Sequence, residues 1–138
     1  MLNTIEGVEA IRRKFAEIGS PTHIPKLRKG SFTAEMRADG IWVDNLSAEP
    51  HLPWVVFQEA ICVLIRNGWR ARRGDAMKSK LGDEALSLDS IEGHIAHVVY
   101  GKRPGQSVFR RITPIACILI WAGICRAEPG ELVLCEID

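Results

Sequence analysis

Thirty-five consecutive residues, Gly93 to Ala127, contain no Asp or Glu, although the same stretch carries Lys102, Arg103, Arg110, Arg111 and Arg126. Acids crowd both flanks, with Asp83, Glu84, Asp89 and Glu92 before it and Glu128, Glu131, Glu136 and Asp138 after it. Other absences narrow the classes. The longest run without a charge, Ile112 to Cys125, has fourteen residues, too few to span a bilayer, and predicts a buried helix. The start, Met-Leu-Asn-Thr-Ile-Glu-Gly, lacks the basic opening and apolar core of a signal peptide. The four cysteines, Cys62, Cys117, Cys125 and Cys135, form no Cys-x-x-Cys pair, and none has a His at zinc-finger spacing. They read as reduced thiols of a cytoplasmic, non-membrane protein. No phosphate loop, Gly-x-Gly-x-x-Gly or Gly-x-Ser-x-Gly occurs, which argues against a nucleotide cofactor and against serine-nucleophile chemistry.

What is present is ordinary globular composition: 138 residues, 46% hydrophobic, 25% charged and a formal net charge of +1. Length suits one compact unit with a real core. Any case for a polyanionic partner has to rest on charge distribution, because the total is nearly neutral.

Apolar residues at three- and four-residue spacing predict an amphipathic helix over residues 4–18, stopped by Gly19 and Pro21. A polar connector follows over 19–30, with the basic run Lys26, Arg28, Lys29. Asp39-Gly40 between Phe32–Ala38 and Ile41–Leu46 predicts a hairpin with a two-residue turn. That register sets Arg37 across from Trp42 and Glu35 across from Asp44, with Phe32, Ala34, Met36, Ile41 and Val43 on one apolar face. Two opposed carboxylates need an intervening cation, and a metal-dependent nuclease site with Lys26 or Lys29 is the minor enzymatic expectation. The main expectation is no enzyme, no cofactor and no metal. His94 and His97 stand three apart without further ligands in the pattern.

After a loop to Leu52, Pro53 opens a helix to about Arg66, and Trp69–Arg72 reads as a short strand. Residues 75–86 are ambiguous, with room for a helical turn. Asp89 and Glu92, at capping-box spacing, open a helix to about Tyr100. A Gly-Lys-Arg-Pro-Gly turn precedes a second helix that starts at Ser107 or Thr113 and ends near Gly123. A hairpin over 124–127 and 131–137 closes the chain around Pro129-Gly130.

From residue 53 on, this order, with Trp121-Ala122-Gly123-Ile124 leading into a Pro-Gly hairpin, resembles winged helix-turn-helix domains. The expected fold class is α+β: a winged-helix-like core over 53–138 and an N-terminal helix plus hairpin over 1–52. The resemblance implies a DNA-binding accessory or regulatory protein whose second helix meets a duplex major groove. Its phosphate contacts are expected from two clusters. One is Arg70, Arg72, Arg73, Lys78 and Lys80; the other is Lys102, Arg103, Gln106, Ser107, Arg110 and Arg111. The alternative is a protein-interaction or homodimer module that docks through the uncharged 112–125 helix. In either case the acidic terminus, with Glu136 and Asp138, is placed to mask the basic patch.

Overall fold

The computed structural model describes residues 3–135, so the last residues of the expected terminal hairpin and the acids at 136 and 138 lie outside it. The order is α1 (Thr4–Ile18), β1 (Thr22–Pro25), β2 (Ser31–Arg37), β3 (Gly40–Val43), β4 (His51–Pro53), α2 (Trp54–Arg66), β5 (Arg70–Arg72), α3 (Ile91–Val98), α4 (Ile112–Trp121), β6 (Cys125–Glu128) and β7 (Glu131–Leu134). One 3-10 turn, Glu84–Leu86, lies in the ambiguous segment. The class is α+β, with two antiparallel sheets of order β1-β2-β3-β4 and β5-β7-β6.

Local chemistry explains most boundaries. Asn3 caps α1 by accepting the Glu6 N–H at 2.9 Å, and Gly19, at φ 113, ends it. Pro53 caps α2 in extended conformation instead of opening it, because it also ends β4. Helix α3 is capped by Ser90, whose Oγ accepts the Gly93 N–H at 3.0 Å; the expected Asp89–Glu92 capping box does not form, since the Glu92 side chain turns inward. Pro129 and Gly130 occupy the terminal turn, with Gly130 at φ 70 where a side chain would be strained.

Strands β1 and β4 were not expected. They complete a four-stranded meander and change the register of its central hairpin. Arg37 pairs with Gly40 and Glu35 with Trp42, so Ala38 and Asp39 form the turn. Gly40 serves a different purpose: a Cβ there would lie 2.3 Å from the Leu52 carbonyl of β4. The apolar face survives because the shift preserves side-chain parity, and Phe32, Ala34, Ile41 and Val43 are buried. The Arg37 guanidinium lies 4.1 Å from the Trp42 ring, reached diagonally.

Helix α2 is the centre of the molecule. Val56, Phe57, Ala60, Ile61, Val63 and Leu64 are fully buried, and α1, α3, α4, β4, β5 and β7 all pack on it. The main core runs from Val8 to Leu134 across the boundary expected at residue 52, with Trp69 packed at its edge, and a smaller cluster of Leu81, Leu86, Ala96 and Val108 lies apart from it. Helix α4 lies against α2, β1 and β6, and Phe15 of α1 meets Trp121 edge-on at 4.7 Å. No helix among the described residues is long and apolar enough to cross a membrane.

Candidate functional site

Three basic segments that are far apart in sequence converge on one cleft of about 780 Å³. The loop between β1 and β2 supplies Lys26, Arg28 and Lys29 from one side. The end of β5 and the loop after it supply Arg72, Arg73 and Lys78 from the other. Arg110 enters just ahead of α4, whose first turn (Ile112, Thr113) and Ala116 contribute apolar lining. Among the described residues Asp75 is the only carboxylate in the lining, against seven cations. Lys26, Arg28, Lys29, Arg72, Lys78 and Arg110 are exposed and make no ion pair among the described residues.

The walls are held by backbone chemistry. Lys26 N–H donates to the Gly30 carbonyl at 3.0 Å, closing the β1–β2 loop. Arg73 Nη1 donates to the carbonyls of Glu128 and Glu131, at 3.1 and 2.7 Å, and so ties β5 to the terminal turn. Asp75 Oδ1 accepts the N–H groups of Met77 and Lys78, which shapes the turn that presents Lys78. Asp75 is therefore partly occupied in folding the loop. Gly74, at φ 94, has no room for a Cβ, which would sit 2.9 Å from Ser90 Oγ. With the lining cations unpaired, the cleft presents a concentrated positive potential suited to phosphate groups.

The expected site residues divide. Arg72, Arg73, Lys78 and Arg110 line the cleft. Arg70 lies outside it and pairs with Glu131 at 2.9 Å, which raises the guanidinium pKa and lowers that of the carboxylate. Lys80, Lys102, Arg103, Gln106 and Ser107 are also outside the lining; Gln106 Oε1 accepts the Arg103 N–H at 2.7 Å, so its side chain builds the turn. Arg111 is interior: 5% exposed, paired with Glu49 at 2.8 Å, with its guanidinium 3.6 Å from the Tyr100 ring. It is a structural cation. Arg110, its neighbour, is the exposed one.

In the sequence Lys26, Arg28 and Lys29 stand out as a basic run, and Lys26 or Lys29 enters only the minor nuclease expectation, not the phosphate-contact clusters. The missing signal was β1, whose pairing with β2 turns the connector into a loop beside the cleft. Helix α4 is largely interior: Ile112 and Pro114 through Leu119 are buried, so its lack of charge goes with its place in the core. It starts at Ile112 and not at Ser107 because Glu92 Oε1 accepts the N–H groups of Arg111 and Ile112, at 2.6 and 3.2 Å.

The opposed carboxylates are gone as well. Glu35 pairs with Arg37 at 2.8 Å, and Asp44 Oδ1 accepts the Thr33 N–H at 2.9 Å. His94 Nε2 is 2.9 Å from Glu59, and His97 Nδ1 is 2.8 Å from the Lys102 carbonyl. Among the described residues no three His, Cys, Asp or Glu side chains gather as a metal site. Comparison of the chain with protein-family models, with curated proteins and with solved structures found no match in any of the three.

Proposed function

We propose that this protein is a nucleic-acid-binding accessory or regulatory factor that holds phosphates in the basic cleft between the β1–β2 loop and β5. The observation that carries the reading is the convergence of seven cations, from separate segments of the chain, on a lining that holds one carboxylate among the described residues. Solubility alone does not require that convergence, while binding to a phosphate backbone does. The element order from α2 to β7, with β5 closing on the terminal hairpin, supports a winged-helix-like description of residues 54–134. The burial of α4 favours contact through the cleft over insertion of a recognition helix.

The test is fluorescence anisotropy of a labelled mixed-sequence oligonucleotide with the purified chain at low and moderate salt. Micromolar binding that weakens as salt rises, and weakens further in an Arg28→Ala, Lys29→Ala, Arg110→Ala triple variant, is the expected result. Absence of binding at low salt would sink the reading.

A further inference from the structure

A second, smaller cavity of about 260 Å³ adjoins the basic cleft, and Lys26 and Leu27 stand in the walls of both. Its chemistry is different. Pro25, Leu27, Cys117, Ile120, Trp121 and Ala127 line it, so among the described residues Lys26 is its only charged wall residue. Helix α4 runs beneath the pair: Ile112, Thr113 and Ala116 face the cleft, while Cys117, Ile120 and Trp121 face the apolar pocket. The β1–β2 loop thus divides a phosphate-seeking surface from an apolar one.

Building on the proposed function, we infer that the bound nucleic acid is single-stranded and that one unpaired base enters the apolar pocket against Trp121. The pocket is half open to solvent, and its volume of about 260 Å³ exceeds the roughly 150 Å³ of an enclosed apolar cavity that takes up benzene, so a nucleobase ring can enter it from outside. Trp121 is half-buried: Phe15 packs against it edge-on at 4.7 Å, and it also contributes to the pocket wall. Binding of single strands combines a cationic groove along the backbone with aromatic platforms for successive bases, and the two cavities supply one of each. A duplex keeps its bases paired and stacked, so it reaches only the cations. The helix that would have read a duplex packs against β1 and carries no charge from Ile112 through Trp121.

The experiment compares three labelled DNA probes of about 12 nucleotides, within the usual span of a single-strand site. They are a mixed-sequence single strand, a single strand of the same length with abasic residues, and the matching duplex, each titrated with the full chain at fixed salt. The intact strand is expected to bind about tenfold more tightly than the abasic strand. It should also bind more tightly than the duplex. In an Ala127→Phe variant, made at an exposed strand position so that the fold is kept, the added ring fills the pocket and should bring the intact strand down to abasic affinity. A Trp121→Phe variant provides a second readout, with the fluorescence quenching of the parent chain by the intact strand expected to shrink. Equal binding of all three probes, tighter binding of the duplex, or an unaffected Ala127→Phe variant overturns the base pocket and leaves phosphate binding standing. No binding of any probe removes the proposed function itself.

Discussion

Glu92 Oε1 accepts the backbone N–H of Arg111 at 2.6 Å, so an acid on α3 fixes where α4 begins. The carboxyl is 1% exposed, and burial pushes its pKa up to about 7, although the Arg111 and Ile112 N–H groups and the Arg111 charge pull the other way. Unfolded, the same group ionises near 4.5. Between those values the unfolded chain has released a proton that the folded chain still holds, so rising pH favours unfolding. The contribution is fully present below about 4.5 and gone above about 7, amounting to roughly 3 kcal/mol. The partly exposed Arg70–Glu131 pair works in the opposite sense, but only at acid pH, below the ordinary carboxylate range. Denaturant midpoints at pH 5 and pH 8 should therefore show a less stable protein at pH 8, and Glu92→Gln should flatten the difference. A parent chain equally stable at both values would rule out a neutral buried Glu92.

Arg110 and Arg111 are adjacent and chemically identical, yet one lines the cleft and the other is interior. Arg111→Ala removes a guanidinium stacked on Tyr100 and paired with Glu49. Breaking a fully buried pair costs about 3–5 kcal/mol, but Glu49 is half exposed and recovers solvent, so about 2 kcal/mol is expected. Arg111→Lys should recover little of it, since an ammonium does not reproduce the planar stack. Arg110→Ala should leave the thermal midpoint unchanged and weaken oligonucleotide binding. Thermal melts of the variants check the contrast; equal melting of Arg111→Ala and the parent would contradict the interior role.

What could be read in advance followed from how local each signal is. Helices α1 and α2 carry their own amphipathic period and caps, and Pro129-Gly130 names its own turn. Strands β1 and β4 carry almost none. Each has a single buried side chain, Ile24 or Leu52, so no alternation exists to detect. Missing β4 also misassigned Gly40, whose bare Cα admits the Leu52 carbonyl. The cleft inherited the same blind spot. Its far-side cations were visible as clusters, but the Lys26–Lys29 side depends on a strand pairing that only the folded chain reveals. Glu92 was legible as an acid near a helix start, and only tertiary contact shows that the helix it caps is α4.

Gly93→Ala sets helix propensity against packing. Ala is the better helix former by about 1 kcal/mol, and Gly93 lies inside α3. A Cβ there, however, would come within 2.0 Å of the Ser87 carbonyl oxygen. That oxygen is held by the Ser90 hydroxyl at 2.6 Å and by the Ser90 N–H at 3.0 Å, so it cannot yield cheaply. Packing should win, with a net loss of about 1 kcal/mol once the propensity gain is set against the overpacking. Equilibrium unfolding of the variant measures it, and a stabilised Gly93→Ala protein would show that the Ser87–Ser90 turn gives way.

The cleft also makes a quantitative prediction about salt. Arg73 is engaged with two carbonyls and Arg110 Nη1 donates to Met77 Sδ, but the six exposed cations of the lining make no ion pair among the described residues and can meet phosphates. Counterion release then gives a slope of log K against log salt of about −0.7 per contact on a single strand, hence no steeper than roughly −4 for six contacts. Alanine at Lys29, Arg72 or Lys78 should each make the slope shallower by about 0.7 when that residue meets a phosphate. Alanine at Lys102 or Arg103, outside the lining, should leave it unchanged. Binding isotherms at four or so salt concentrations separate the two sets. If the Lys102 and Arg103 variants lose slope while the Lys29, Arg72 and Lys78 variants keep it, the phosphates run over the loop before α4, and the cleft is not their path.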